Sequence, residues 1–412
     1  MKQFGRYWKR ALLFFTVFGP ATITAMADND AAGVATYSLA GANFGYSILF
    51  VILLATILLA ITQEMGARIA VVTGKGLGDL IRERYGIVLS VVIFSFLMFA
   101  NMGTIIANVS AIKTTAEMFK LPALPLLVAI VVLAFIFVSK GNYKTNQNIF
   151  LISGFFYIAY IFSAIKAAPD WGNALTSVIV PTNIHLSKEF IFGSIAVLGT
   201  TITPWGQFFI QSYVIDKNVS LDKLKFVQIE TYIGAVLTDL FSFFMIVATA
   251  ATLFAHNIAL TSGEQAAMAI RPFAGPLASV LFGLGIFNAG FMGMVIVSLT
   301  TAYAFSEFFG TKGSLDVSFN REKIFYGIFL FQLITAAIIV TFPFISLFKI
   351  VFYTQSINAI LLPFVFYFLL KITNNKELMG VYTNKSWYNW VAIFASFLII
   401  CASLFTIISY IL

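Results

Sequence analysis

The sequence predicts an all-α polytopic membrane protein, and three observations carry that expectation. Hydrophobic residues make up 60% of the 412-residue chain and charged residues only 10%, against about 45–50% and roughly 25% in a soluble domain. The mean hydropathy is +0.94. The 46 Phe and 16 Tyr run along the whole length rather than gathering into one anchor. So few charges cannot cover a water-facing surface, which excludes soluble, disordered and collagen-like chains.

A transmembrane helix needs about 20 mostly apolar residues. Apolar runs between polar breaks give about eleven segments, near 11–41, 46–66, 86–117, 122–139, 148–167, 190–214, 228–255, 275–306, 323–342, 345–370 and 388–411. The third and eighth are long enough to tilt or to extend beyond the membrane. An odd number of crossings puts the termini on opposite sides.

With a cytoplasmic N-terminus, nineteen of the 25 Lys and Arg fall in inner segments, Lys2, Arg6, Lys9, Arg10, Arg68 and Lys312 among them. Lys113, Lys120, Lys166, Lys188, Arg271 and Lys349 lie on or near the outer side. The positive-inside rule therefore predicts N-in and C-out. It also explains the net charge of +8 without a nucleic-acid partner; the bilayer is the expected partner, and no protein partner is evident. Ala25-Met26-Ala27, after a basic and an apolar stretch, resembles a signal-peptidase site. The apolar pattern resumes after Ala31, so an uncleaved first helix is expected. In a bacterium the membrane would be the plasma (inner) membrane.

The chemistry-bearing residues are few. Cys401 is the single cysteine, His185 and His256 fall in polar connections, and no HExxH, paired-His or P-loop pattern occurs. A soft-ligand zinc or iron–sulfur site, a cofactor and an intramembrane enzyme are all disfavoured. A single intramembrane acidic cluster, rather than rings of charge, disfavours a channel.

That cluster is Asp28-Asn29-Asp30-Ala31-Ala32-Gly33, in the middle of the first segment. Ionisable side chains inside a span cost several kcal/mol unless paired or hydrated and are functional candidates by default. Gly33 and the small Ala31 and Ala32 are expected to let the backbone unwind and free carbonyls for a cation; a loop between two short apolar pieces is the bland alternative. A second interruption, Gly199-Thr200-Thr201-Ile202-Thr203-Pro204-Trp205-Gly206, falls in the sixth segment. Pro204 lacks a backbone donor and clashes with the preceding turn, and the threonines offer hard oxygen ligands; a simple proline kink is the alternative there. The interruptions lie five spans apart. Five is odd, so a second five-helix unit enters the membrane in the opposite sense, and breaks at matching places in inverted halves point to a transporter's midplane site.

Ala27 to Tyr37 resembles the first-helix signature of the natural resistance-associated macrophage protein (NRAMP) family of divalent-metal transporters. The family's usual core there is Asp-Pro-Gly-Asn, with Asp30 at the Asp. Gln63 to Leu77 resembles the end of the family's second helix, Thr201 to Trp205 occupies its sixth-helix Met-Pro-His site, and Gln355 with Leu362-Pro363-Phe364 resembles its tenth helix. The resemblance covers essentially the whole chain. It implies one transporter domain over 1–412 with a LeuT-type fold: two inverted five-helix repeats, about 11–167 and 190–370, plus an eleventh helix at about 388–411. It also implies alternating access for a divalent cation held by Asp30, the carbonyls of Ala27 and Thr200, the side chain of Thr203, and Gln355. Asp28, Gly33, Trp205 and Asn108 are expected around that set, with Asp28 not itself a ligand.

Departures from the family pattern sharpen the reading. Gly33 replaces an Asn ligand, and Thr203 replaces the family's sulfur ligand. Thioethers favour softer transition metals, whereas hydroxyl, carboxylate, carbonyl and water suit Mg²⁺ and Mn²⁺, so the pattern is similar to the NRAMP-related magnesium transporter branch. Trp205 stands at the family's His, Asn108 and Ala111 at its third-helix acidic pair, and Tyr326 to Val340 lacks its arginine pair. A proton relay needs titratable groups in a chain; Glu64 and Asp239 are possible substitutes, each expected to be a structural acid near a helix end. The expected function is import of Mg²⁺ and/or Mn²⁺ without proton coupling. A proton-coupled Mn²⁺/Fe²⁺ symporter is the alternative, and an amino-acid permease of the same fold a weaker one.

Overall fold

A computed structural model of the chain describes residues 14–182, 187–258, 260, 266–311, 313–342 and 347–411, with side chains in the last segment at 358, 360–401 and 404. Lys2, Arg6, Lys9, Arg10, His185 and Lys312 lie outside the described residues, as do the side chains of Lys349 and Gln355.

The regular elements among the described residues are all helices. The expected first span is two half-helices, α1 (Pro20–Ala27) and α2 (Ala31–Phe44), followed by α3 (Leu49–Thr73), α4 (Leu77–Met118) and α5 (Ala123–Lys140). The fifth span divides into α6 (Tyr143–Phe155) and α7 (Ile158–Lys166), and α8 (Trp171–Ile179) connects it to the sixth. The sixth is again two halves, α9 (Lys188–Thr201) and α10 (Pro204–Asp216). Then come α11 (Leu224–Thr252), the short α12 (Ala266–Ala269), α13 (Arg271–Phe309), α14 (Lys323–Thr341), α15 (Leu347–Thr373), the short α16 (Lys376–Met379) and α17 (Ser386–Ile411). Each expected span thus meets a helix or a broken pair.

Among the described residues, seven helical stretches are long and apolar enough to cross a membrane unaided. The halves α1, α9 and α10, at 8, 14 and 13 residues, are too short alone, since a crossing takes about 20. Large apolar side chains such as Val88, Phe99, Leu133 and Ile152 stay exposed on the outer faces of α4, α5 and α6. Such faces are a liability in water and the natural covering in lipid, where helices satisfy their own backbone groups. The chain is an integral membrane protein.

The long third and eighth spans are each divided from a short lead-in helix. At 1.5 Å per residue the 42 residues of α4 would run about 63 Å, twice the roughly 30 Å hydrocarbon core. Gly86 turns the chain with φ 85 and ψ 172, and Gly275 turns α13 with φ 86 and ψ 170. Only glycine takes that conformation without strain. The matched kinks, like the matched breaks, are what two inverted copies of one unit leave behind. α13 packs along α4, while α11 runs along α1, α2 and α3 and faces both halves of the first break.

One buried ion pair ties the last helix to this core. The positive-inside count places Arg68 among the inner charges. It is instead buried in α3, 6% exposed, because Glu64 one turn earlier neutralises it: Nε and Nη2 donate to the two carboxylate oxygens at 2.9 and 3.1 Å. Gln228 of α11 and the Tyr388 hydroxyl of α17 each donate to Glu64 at 2.7 Å. Arg68 donates onward to the Tyr382 carbonyl and Asn384 Oδ1, both at 2.6 Å. Glu64 is thus a paired structural acid, as the sequence suggests, but it lies well inside α3 rather than near its end. Arg68→Ala would strand a buried carboxylate, a loss of about 3–5 kcal/mol. The expected outcome is a clearly lower melting temperature in detergent, with much of the loss recovered by Glu64→Gln together with Arg68→Met. An unchanged melt in Arg68→Ala would show that the pair does not hold α17.

Candidate metal centre

The first break is three residues long and lies earlier than the small residues suggested. α1 ends at Ala27, Asp28 is still helical (φ −64, ψ −19), and the chain extends only at Asp30 (φ −65, ψ 179). Ala31, Ala32 and Gly33, expected to unwind, instead form the first turn of α2. Two reasons are visible. Asp30 is the N-cap of α2, its Oδ1 accepting from the Gly33 amide at 2.9 Å, which satisfies an orphan donor of the helix start. Gly33 also leaves room for the turn, since a Cβ there would sit 2.7 Å from the Asp28 carbonyl oxygen.

Asn29 pins the break to α11. Its Nδ2 donates to the Thr238 carbonyl and hydroxyl, both at 2.8 Å, and its Oδ1 accepts from Ser242 at 2.8 Å. Its carbonyl accepts from the Tyr157 hydroxyl at 3.1 Å. Asn108, in the last third of α4, holds the other side. Its Oδ1 accepts from the Ala31 amide at 2.9 Å and its Nδ2 donates to Asp30 Oδ2 at 3.0 Å. The Ala31 amide, spent on Asn108, cannot close the helical bond to the Ala27 carbonyl. That carbonyl is left at the negative end of α1, where a cation is favoured. The side chain of Ala27 itself packs in an apolar cluster with Trp205 and Val109.

The second break is two residues, Ile202 and Thr203, both extended. Pro204 does not kink a continuous helix but opens α10, where its missing donor costs nothing. Thr203 is the N-cap, its Oγ1 accepting from the Gly206 amide at 3.2 Å. The same hydroxyl donates to Asp28 Oδ1 at 3.2 Å, while Gln63 of α3 donates to Asp28 Oδ2 at 3.1 Å. Asp28 therefore joins the two breaks. Thr201 turns away and donates to the Val197 carbonyl at 2.8 Å.

Between the breaks lies a cavity of about 10 Å³ lined by Asp28, Asp30, Ala32, Thr104, Thr200, Thr203, Trp205 and Asn358. That is about the space of one water. Asp28 lines it alongside Asp30, closer to the centre than the sequence reading placed it. Asn108 and Gly33 stand behind Asp30 and orient it. Gln355 lies on the backbone of α15, with its side chain outside the described residues; Asn358 from the same helix reaches the cavity. No sulfur or imidazole lines it, and the described residues hold no cluster of three His, Cys, Asp or Glu.

The sequence reading missed Thr104 and Asn358. Each is one helical turn from a residue it did single out, Asn108 and Gln355, so the 3.6-residue period was the signal that would have found them. It misplaced Asp239, expected near a helix end. Asp239 sits in the middle of α11, 3% exposed, with neither carboxylate oxygen hydrogen-bonded.

The chain as a whole is similar to known proteins. The natural resistance-associated macrophage protein-like family matches residues 21–409. The chain is 22% identical to the divalent metal cation transporter MntH of Levilactobacillus brevis, covering 98% of this chain and 89% of that protein. It superposes on the Eremococcus coleocola manganese transporter, solved with an aromatic bis-isothiourea compound, with a TM-score of 0.79 at 19% identity over 98% of this chain and 87% of that one. A Na⁺-coupled sialic acid symporter shares the fold more distantly, with a TM-score of 0.55 at 13% identity over 97% and 96%. The fold is the LeuT type, and its relatives are transporters rather than enzymes. By the match over nearly its whole length, the chain belongs to the natural resistance-associated macrophage protein-like family.

Proposed function

We propose that the chain carries a hard divalent cation, Mg²⁺ and/or Mn²⁺, into the cell by alternating access, driven by the membrane potential rather than by protons. The observation that carries this reading is the pair of carboxylates, Asp28 and Asp30, on one small buried cavity whose other polar lining is hydroxyl and amide. A divalent ion neutralises both charges, and hard oxygen donors suit Mg²⁺ and Mn²⁺. The names of the relatives, a divalent metal cation transporter and a manganese transporter, support the ion's valence. The cavity's size speaks against an organic solute.

Asp30 and Asp28 bind the ion, the carbonyls of Ala27 and Thr200 meet it at the negative ends of α1 and α9, and Thr203 and Gln355 complete the set. Asn108 and Gly33 orient Asp30, and Trp205 closes one wall. The Thr203–Asp28 bond is long for an O–H···O bond, so an arriving ion and its waters displace it at little cost. Mg²⁺ keeps several waters around one or two carboxylates, which suits a site where water and hydroxyl replace sulfur. An inside-negative potential supplies about 4.6 kcal/mol per 100 mV for a doubly charged ion, enough for accumulation without a coupled ion. We read the chain as one domain, N-terminus cytoplasmic and C-terminus external, with repeats at about 11–167 and 190–370 and an extra helix at about 388–411.

One observation favours a second reading, a symporter of Mn²⁺ or Fe²⁺ with protons: the buried carboxylate of Asp239 has no hydrogen bond.

Proteoliposome uptake of Mg²⁺, Ca²⁺, Mn²⁺ and Fe²⁺, compared side by side, tests the carrier. Saturable uptake of Mg²⁺ or Mn²⁺ is expected. Asp30→Asn should weaken it at least about 100-fold, and Asn108→Leu, which removes only an orienting partner, by about 10–100-fold; wild-type uptake in Asp30→Asn would sink the site. Thr203→Met should raise the rate for Fe²⁺ and Mn²⁺ relative to Mg²⁺, and an unshifted order would refute the hard-ligand argument. A pH dye sealed in the same vesicles should stay constant during uptake. Acidification in step with metal entry would replace the uncoupled reading by the symporter.

A further inference from the structure

The first span carries a further break, ahead of α1. Residues 14–17 are helical, Phe18 and Gly19 are not, and α1 begins at Pro20. Gly19 turns the chain with φ 139 and ψ −59, a conformation that favours glycine. A Cβ there would lie 2.5 Å from Gln147 Cδ, so both the turn and the close contact need a bare backbone.

The groups freed by this turn are met by three other helices. Lys217, which follows α10, donates to the carbonyls of Val17 and Phe18 at 2.9 and 2.6 Å and to Gln147 Oε1 at 2.9 Å. Gln147 of α6 donates to the Phe18 carbonyl at 3.0 Å. Glu230 of α11 accepts on Oε1 from the amides of Gly19 and Thr22 at 2.7 and 3.0 Å. An ammonium thus faces the carbonyl end of the turn before the break and a carboxylate faces the amide end of α1, each the favourable sign.

α1 is therefore an eight-residue rod with non-helical backbone at Gly19 before it and at Asp30 after it. It is buried along its whole length among α6, α10 and α11. The residues flanking α10 hold both of its ends: Thr203 donates to Asp28 just past one, and Lys217 donates to Phe18 just ahead of the other.

We propose that Gly19 is a hinge, locked by Lys217, Gln147 and Glu230, about which α1 swings away from α10 to open the cavity on that side of the membrane. The hinge rests on the carrier reading above, in which an arriving ion displaces the Thr203–Asp28 bond. With that tie gone, Lys217 is the remaining hold of α10 on α1. Its position makes the hold releasable. Lys217 is half-buried and the next residue, Asn218, is exposed, so water at the membrane face can take over the bonds it gives up. A break in the hydrocarbon core has no such replacement.

Amide hydrogen exchange of the full-length protein in lipid nanodiscs, in buffer free of divalent metal, tests the lock. Lys217→Met keeps the stem of the side chain and removes the ammonium. Exchange over residues 17–27 should rise about tenfold or more, with α14 unchanged. Gly19→Ala, which strains the turn and presses on Gln147, should give the same local rise and serves if Lys217→Met does not fold. Thr24 of α1 is fully buried. As Thr24→Cys in a Cys401→Ser background, it should react with a membrane-impermeant thiol reagent about tenfold faster once Lys217→Met is added. Unchanged exchange over 17–27 in both variants, a rise shared equally by α14, or an unchanged thiol rate overturns the lock. Because exchange is read without divalent metal, its failure leaves the carrier reading standing, and failed Mg²⁺ and Mn²⁺ uptake leaves the exchange result interpretable.

Discussion

Most of the site depends on how the broken first helix satisfies its backbone in a medium without water. A break exposes amides at the start of one half and carbonyls at the end of the other, and each unmet group in lipid costs several kcal/mol. The amides are met by side chains. Asp30 takes the Gly33 amide, and Asn108 takes the Ala31 amide while fixing the second Asp30 oxygen. The Asn29 carbonyl is met by Tyr157, and its side chain is fixed to α11 by Thr238 and Ser242. The carbonyl at the end of α1 loses its helical donor, and under the proposed function a cation is its partner.

The second break repeats the solution with simpler parts. Thr203 caps α10, and Pro204 at its first position needs no donor. The two breaks are then joined through a single side chain, since Asp28 accepts from both Thr203 and Gln63. Movement of α10 or α3 against α1 therefore acts on the carboxylate that lines the cavity. Asn29 is tied to α11, and Asn108 of α4 holds the Ala31 amide and Asp30, so the rest of the break is fixed by side chains that are themselves buried.

Much of this was legible in the sequence, and the reason is physical. Lipid forces long apolar runs, so the spans could be read directly, and an acid inside such a run has few explanations, so Asp30 and the Thr203-Pro204 break could be found from residue type alone. What could not be read depends on which way a side chain points around a helix. Asp28 is expected around the ion rather than on it, and the turn at Asn29 and Asp30 brings both carboxylates to one cavity. Arg68 was assigned to a loop because charge usually marks one; a partner one turn away, Glu64, lets it stay buried. Asp239 was assigned to a helix end by the same habit, although α11 continues well past it in both directions. The small residues after Asp30 misled in the other direction: they signal close approach to Asp28, not an unwound backbone.

The substitutions at the cavity form one consistent change. Thr203 and Trp205 stand where the family pattern has a sulfur and an imidazole, and Asn108 stands where it has an acid. The first exchange hardens the ligand set. The second and third remove titratable groups from the wall and leave neutral ones that hold Asp30 by hydrogen bonds. A neutral wall in a low-dielectric interior cannot share or pass on charge, so the ion's own charge must balance the carboxylates facing it. On the carrier reading, two carboxylates then call for a divalent ion. The same electrostatic accounting singles out Asp239, buried next to the Thr238 that clamps Asn29 and with neither oxygen hydrogen-bonded, as the acid that the substitutions at the cavity do not touch.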